Sequence, residues 1–433
     1  MFLVYNFRNM KIDFFIIQKP GNMNKNFLIW SMTIFMVISS CSKYVDVSPS
    51  DLRVSSEAGS STINIKANTD WTVTEDADWL TVSPVHGSDN GMLTADFTAN
   101  TMNAIKMATI TVTGSGVSVP VSVTLIQEAK EEHMINMTWT RKANLPTARG
   151  FLPPTASVVS GKIYVIGGTG TTNVFNTVEE YDPSANSWTT KASLLTQRWG
   201  HSSVVIGGKI YVMGGCSELA GDATASIEIY DPETNRWSYD GNMPAPKLGF
   251  ASCVADGKIY TIGGRTKEPG GTFLASVEAY NPVTKTWQSR SPLPEASAYL
   301  TCTATSSSIY AIGGCNSDGK PVKTVYKYDI ESDIWSEATS IHSTRWGIAS
   351  CLVGNMIVCA GGYSGPMGPE QQTVEVILTD TDECLQATDM SFKRACCSVC
   401  AVNGKVYVLG GCISSPPTYM PGNYVEEGVI DLR

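Results

Sequence analysis

A chain of 433 residues is longer than one ordinary hydrophobic core supports, so it holds several domains or a repeat. Apolar residues make up 42% and charged residues 16%, which excludes intrinsic disorder, since that needs low hydrophobicity and high net charge. The net charge of −9 removes the electrostatic case for a nucleic-acid partner, while 38 glycines and 17 tyrosines suit tight turns and half-buried strands.

At the N-terminus Lys25 supplies a positive charge ahead of an apolar run, Phe27 to Ile38, that is short for a transmembrane helix. The run ends in Ile38-Ser39-Ser40-Cys41, which resembles the lipobox of bacterial lipoproteins. That resemblance implies lipidation of Cys41, a signal peptide over residues 1–41 with Met23 as an alternative start, and an outer-membrane lipoprotein of the cell envelope. Membrane contact is then through the lipid anchor only. Residues 42–50 are a polar tether.

Residues 46–129 alternate polar and apolar in short runs divided by Gly, Ser, Asn and Asp. Thr62-Ile63-Asn64-Ile65 and Ala108-Thr109-Ile110-Thr111-Val112 are examples. About seven strands in such a length predict an immunoglobulin-like sandwich. The order Asn68, Asp70-Trp71, Asp78-Trp79-Leu80, Ser83-Pro84, Gly87 and Gln127-Glu128-Ala129 resembles the BACON domain, common in lipoproteins of gut Bacteroidota. The family name implies carbohydrate binding. Here Trp71 and Trp79 lie in strand-like contexts that suit a core, so the domain reads as a spacer. Residues 130–136 are a charged linker.

Residues 137–433 repeat. Gly-Gly pairs start at 167, 214, 263, 313, 361 and 410, spaced by 47, 49, 50, 48 and 49 residues. A tyrosine follows at Tyr181, Tyr230, Tyr280 and Tyr328, with a tryptophan seven residues later at Trp188, Trp237, Trp287 and Trp335. This pattern resembles the kelch motif and implies six four-stranded blades. The last repeat stops without a tryptophan, but Trp139-Thr140-Arg141-Lys142-Ala143-Asn144-Leu145 matches Trp188-Thr189-Thr190-Lys191-Ala192-Ser193-Leu194. The strand around Trp139 should therefore complete the last blade and remove two open sheet edges. The predicted fold is all-β, a sandwich followed by a closed six-bladed propeller. Blade five departs from the pattern, with Cys384 at the tryptophan position and Ile377 at the tyrosine position.

Eleven cysteines besides Cys41 scatter along the repeat. Cys216, Cys315 and Cys412 each follow a Gly-Gly pair, and Cys253, Cys351 and Cys400 share another repeat position. Such recurrence suits small buried groups. Cys396, Cys397 and Cys400 cluster without a nearby histidine, so no metal is expected there, and no cofactor is expected at all.

Within each blade the first strand turns into the second at a tight hairpin such as Asp256-Gly257-Lys258. The loops into the first strand and those leaving the Gly-Gly pairs thus share one face. That face carries the long loops Arg265 to Ser276, Tyr363 to Thr373 and Cys412 to Asn423, and function favours such loops. Ten residues after each tryptophan position stand Arg149, Arg198, Lys247, Ser297, Arg345 and Arg394. These cations either pair with strand glutamates such as Glu179, Glu228, Glu278 and Glu375, or ring the channel mouth and bind ligand carboxylates. Trp199 and Trp346 follow two of them in opposite blades, where they either clamp a sugar or wedge between blades. The ligand candidates are Arg149, Arg198, Trp199, Lys247, Arg265, Arg345, Trp346 and Arg394.

These features predict an envelope lipoprotein that binds a glycan or small sugar, acidic in type, through one propeller face. No catalytic residue is assigned. The kelch resemblance also admits an N-acetylneuraminate epimerase (mutarotase), which needs a carboxylate and a cation near an anomeric hydroxyl, or a protein-interaction scaffold with envelope partners. A copper-radical oxidase needs convergent Tyr, His and Cys ligands, and the repeat has only His201 and His342.

Overall fold

The computed structural model describes residues 42–102, 104–130, 134–365, 368–414 and 419–431; the segment expected to be a signal peptide, with Cys41, lies outside them. The chain divides into two compact units between Glu132 and His133. Every regular element among the described residues is a β-strand.

The first unit is a sandwich of a four-stranded and a five-stranded sheet. Alternation decides which side chains enter it: in Gly59–Ala67, Ile63 and Ile65 point inward while Asn64 and Lys66 face water. Ile63, Leu93, Ile110 and Leu125 meet in the core, each fully buried. Trp71 belongs to this core, its indole N–H bonded to the Asp89 carbonyl at 2.9 Å. Gly87 leaves room for it, since a Cβ there would fall 2.2 Å from the ring. Trp79 packs against the same core half-buried, with the Lys106 ammonium 5.6 Å from its ring.

The second unit is a propeller of six four-stranded antiparallel sheets. Blade one comprises Ser157–Val159, Lys162–Ile166, Val178–Asp182 and Ser187–Lys191 from the axis outward. The inner strands of successive blades touch in cyclic order, and the sixth touches the first. Met137–Arg141 forms the outer strand of blade six, antiparallel to Val425–Ile430 with Trp139 opposite Gly428. The Trp139 indole N–H reaches the Thr388 carbonyl of blade five at 2.9 Å, so the closing strand binds two blades.

The repeat residues hold blades together by specific contacts. Tyr181 faces Trp188 across a strand pair with ring centroids 4.9 Å apart, and three other blades repeat this pair. The Trp188 indole N–H then donates to the Ala143 carbonyl of the preceding blade at 3.0 Å. The first glycine of each Gly-Gly pair has positive φ, and a Cβ at Gly263 would fall 2.4 Å from the Ser297 carbonyl of the next blade. Blade five lacks the aromatic pair: Ile377 faces Cys384.

Candidate functional site: an aromatic cavity at the propeller mouth

The cationic positions point into the blades. Arg149, Arg198, Arg345 and Arg394 are 0% exposed and Lys247 is 1% exposed. Arg149 pairs with Glu179 at 2.6 Å, Arg394 with Glu426 at 2.5 Å, Arg198 with Glu228, Lys247 with Glu278, and Arg345 with Glu375. The Arg149 guanidinium also donates to the carbonyls of Gly167 and Thr177, both at 3.0 Å. Its own carbonyl accepts the Gly411 N–H of the preceding blade at 2.9 Å. One residue thus ties the strands of its own blade and docks that blade on its neighbour. Burial pushes each of these five cations below its ordinary pKa.

The expected cationic ring of ligand contacts is corrected accordingly: Arg149, Arg198, Lys247, Arg345 and Arg394 do not line the mouth cavity. Blade four shows the same logic by omission. Ser297 replaces the cation, and Tyr326, opposite Ala311, stands where other blades carry the glutamate. Both charges are lost together, because either alone would be buried without a partner.

Two residues after each cationic position the chain passes through a backbone belt. Gly200 N–H donates to the Phe151 carbonyl (3.3 Å), Gly249 to Gly200 (2.7 Å), Tyr299 to Gly249 (2.6 Å), Gly347 to Tyr299 (2.9 Å) and Cys396 to Gly347 (2.7 Å). Leu152 N–H donates to Cys396 at 3.2 Å and closes the circuit. All six positions have φ between 49° and 61°. Three are glycine, which adopts this conformation without strain, whereas each of Phe151, Tyr299 and Cys396 pays about 1–2 kcal/mol for it. Two of them, Phe151 and Tyr299, line the mouth.

Above the belt lies a cavity of about 480 Å³, within the range for small-molecule sites. Its walls include six aromatic residues: Phe151, Trp199, Phe273, Tyr299, Trp346 and Tyr419. The two tryptophans are wedged between loops and also line the cavity. Each is almost fully buried and wedged, with its indole N–H tied to a loop carbonyl, Glu218 for Trp199 (2.6 Å) and Gly365 for Trp346 (2.9 Å). Each also contributes surface to the cavity. On the hairpin side of the belt a second cavity of about 290 Å³ is lined by the inner strands.

Arg265 follows the Gly-Gly pair of blade three and lines the mouth cavity. Its guanidinium bonds Glu268 at 2.5 Å and lies over the Phe273 ring at 4.9 Å. Glu268 also accepts the Tyr299 hydroxyl at 2.7 Å. Lys267-Glu268 pairs with Gly221-Asp222 of the neighbouring loop, which fixes Glu268 over the mouth. Burial, and then the Glu268 charge, raise the Tyr299 phenol well above its ordinary pKa, so it remains a proton donor. Burial pushes the adjoining Cys315 thiol up to about 12.

Of the eight sequence candidates the structure gathers Trp199, Arg265 and Trp346 into one cavity. Sequence reasoning missed Glu268, Tyr299, Phe151, Phe273 and Tyr419. Two of these were legible: Phe151 and Tyr299 stand in register with Gly200, Gly249 and Gly347. A bulky side chain held at positive φ where three other blades carry glycine is an irregularity that makes the residue a site candidate.

A closed ring of six kelch blades with one aromatic cavity at its mouth places the second unit in the kelch class of β-propellers. Residues 163–415, more than half of the chain, match the family described as Attractin/LZTR1 beta-propeller, and the chain belongs to it. Residues 45–129 match the viral BACON domain. An F-box/kelch-repeat protein of Arabidopsis thaliana is 40% identical over 81 residues, 18% of this chain and 21% of that protein. Kelch-like protein 25 of Homo sapiens is 40% identical over 86 residues, 20% of this chain and 14% of that protein. The match thus spans about a fifth or less of these curated relatives. The solved structure of YjhT is similar with a TM-score of 0.57 and 16% identity, covering 67% of this chain and 98% of that one. At that identity the likeness shows the fold.

Proposed function

We propose that the propeller binds a carbohydrate carrying a carboxylate in the mouth cavity, and that Cys41 anchors the chain in the cell envelope. The observation that carries this reading is the Arg265–Glu268–Tyr299 cluster set among aromatic walls. Sugar C–H faces pack on aromatic faces, while a guanidinium, a carboxylate and a phenol bond hydroxyls as donor and acceptor. The preference for an acidic ligand rests on Arg265, which lines the cavity although it pairs with Glu268, whereas the five buried cations do not reach the cavity. Glycan-array binding followed by calorimetry tests it. A uronate- or sialate-bearing glycan should bind, and Arg265→Gln should weaken it at least tenfold. Equal binding by Arg265→Gln would defeat the assignment.

The same cluster favours a second reading, a mutarotase acting on N-acetylneuraminate. Glu268 would accept the proton of the anomeric hydroxyl as the bond to the ring oxygen breaks, and the Tyr299 hydroxyl would give a proton to that ring oxygen. Reclosure on the other face would reverse both transfers, while Arg265 holds the carboxylate. Interconversion of the anomers, followed by NMR, should then be accelerated and should fall to the spontaneous rate in Glu268→Gln. A protein-interaction scaffold is the third reading, and it predicts capture of an envelope protein that free sugars do not displace.

A further inference from the structure

The break in the repeat at blade five leaves three metal-ligating side chains in contact. Cys384 stands where four other blades carry an indole paired to a tyrosine and where blade six has Trp139. Seven residues after the tryptophan position the other blades carry Pro146, Leu195, Pro244, Pro294 and Ser391, whereas blade five carries His342. Two departures in one blade therefore both introduce ligand atoms, and they meet. His342 Nδ1 is 4.0 Å from Cys384 Sγ and 2.7 Å from Glu375 Oε1, and all three donor atoms lie within 4.8 Å of one another.

We propose that blade five holds a zinc-class divalent cation, ligated by His342 Nδ1, Cys384 Sγ and Glu375 Oε1, with the outward position open to water. Tetrahedral zinc with bonds of about 2.0–2.3 Å needs ligand atoms roughly 3.3–3.6 Å apart, so side-chain shifts under about 1 Å would complete the site. A mixed nitrogen, sulfur and oxygen set suits zinc, while calcium and magnesium demand oxygen ligands. Glu375 is already positioned for this role. It is fully buried, it pairs with the Arg345 guanidinium, and its Oε1 accepts the His342 backbone N–H at 2.7 Å. A carboxylate oriented by an outer partner is the usual support of a metal ligand. Binding would exchange the His342–Glu375 hydrogen bond for two metal bonds, with the imidazole proton moving from Nδ1 to the Nε2 tautomer, and would release the Cys384 proton to solvent.

The site is reachable from water. The His342 side chain is 44% exposed, and Cys384 is the one cysteine among the described residues that is not buried. Native-state alkylation with iodoacetamide, read by peptide mapping, therefore reports Cys384 separately from the buried thiols among the described residues. One equivalent of zinc should slow its modification at least tenfold, while calcium and magnesium should not. Cobalt titration should give a thiolate charge-transfer band that saturates at one equivalent and is absent in Cys384→Ser. His342→Gln, at an exposed position, should stay folded and lose most of the protection. Unprotected Cys384 in the zinc-loaded wild type, no cobalt band, or full protection in His342→Gln would each overturn the site.

Discussion

Replacing Arg394 by methionine tests whether the cationic ring belongs to the fold or to the ligand. Arg394 and Glu426 are both fully buried and paired at 2.5 Å, and the guanidinium also donates to the Tyr424 carbonyl at 3.0 Å. Methionine restores most of the packing but removes the cation from Glu426, which keeps the Ser391 N–H at 3.0 Å. Removing one member of a buried ion pair costs about 3–5 kcal/mol. For a domain of this size a kilocalorie moves Tm by about 2–4 °C, so thermal unfolding followed by circular dichroism should shift down by roughly 6–20 °C. Arg394→Met with Glu426→Gln should recover a large part of the loss, because no charge is then stranded. Ligand affinity measured well below the transition should match the wild type. A Tm within about 2 °C of wild type would refute the structural role, and so would lost affinity in a fully folded variant.

Three further outcomes follow from the same contacts. His201 occupies a position filled by Leu152, Phe250, Leu300, Ile348 and Cys397 in other blades, and burial lowers its pKa from 6.5 to about 3. The unfolded chain therefore binds the extra proton between those values. Stability from this group is full above about pH 6.5 and falls with acid by up to about 1.4 kcal/mol per pH unit. Denaturant midpoints across that range should flatten in His201→Phe, and an unchanged slope would count against the burial argument. Gly249→Ala places a Cβ 2.9 Å from the Tyr299 ring at φ 61°, and should cost about 1–3 kcal/mol in chemical denaturation. Trp139→Ala removes the bond to Thr388 and the ring packed on Gly428, and should cost about 3–5 kcal/mol. Limited proteolysis should then cut first in the opened blade six.

The repeat alone was enough to read the scaffold. Gly-Gly pairs at a steady interval, the Tyr–Trp spacing and the match around Trp139 are local patterns, and each encodes one strand or turn that must recur in every blade. The sandwich was legible for a similar reason, since strand alternation states which face is buried. The glutamate of blade six, Glu426, escaped notice because that blade is assembled from both ends of the repeat, which hides its period.

Only the tertiary structure decided where the cations point. Arg149 and Arg394 carry the same charge whether they face a channel or a glutamate, and spacing along the chain cannot distinguish the two directions. Burial settles it, because a guanidinium removed from water must be placed against a carboxylate and carbonyls. The mouth cavity is likewise a tertiary product: Phe151, Trp199, Arg265, Tyr299, Trp346 and Tyr419 come from all six blades and meet only when the ring closes. Arg265 and Glu268 are neighbours in sequence, but what makes them a site is the Tyr299 hydroxyl brought from the next blade by the backbone belt.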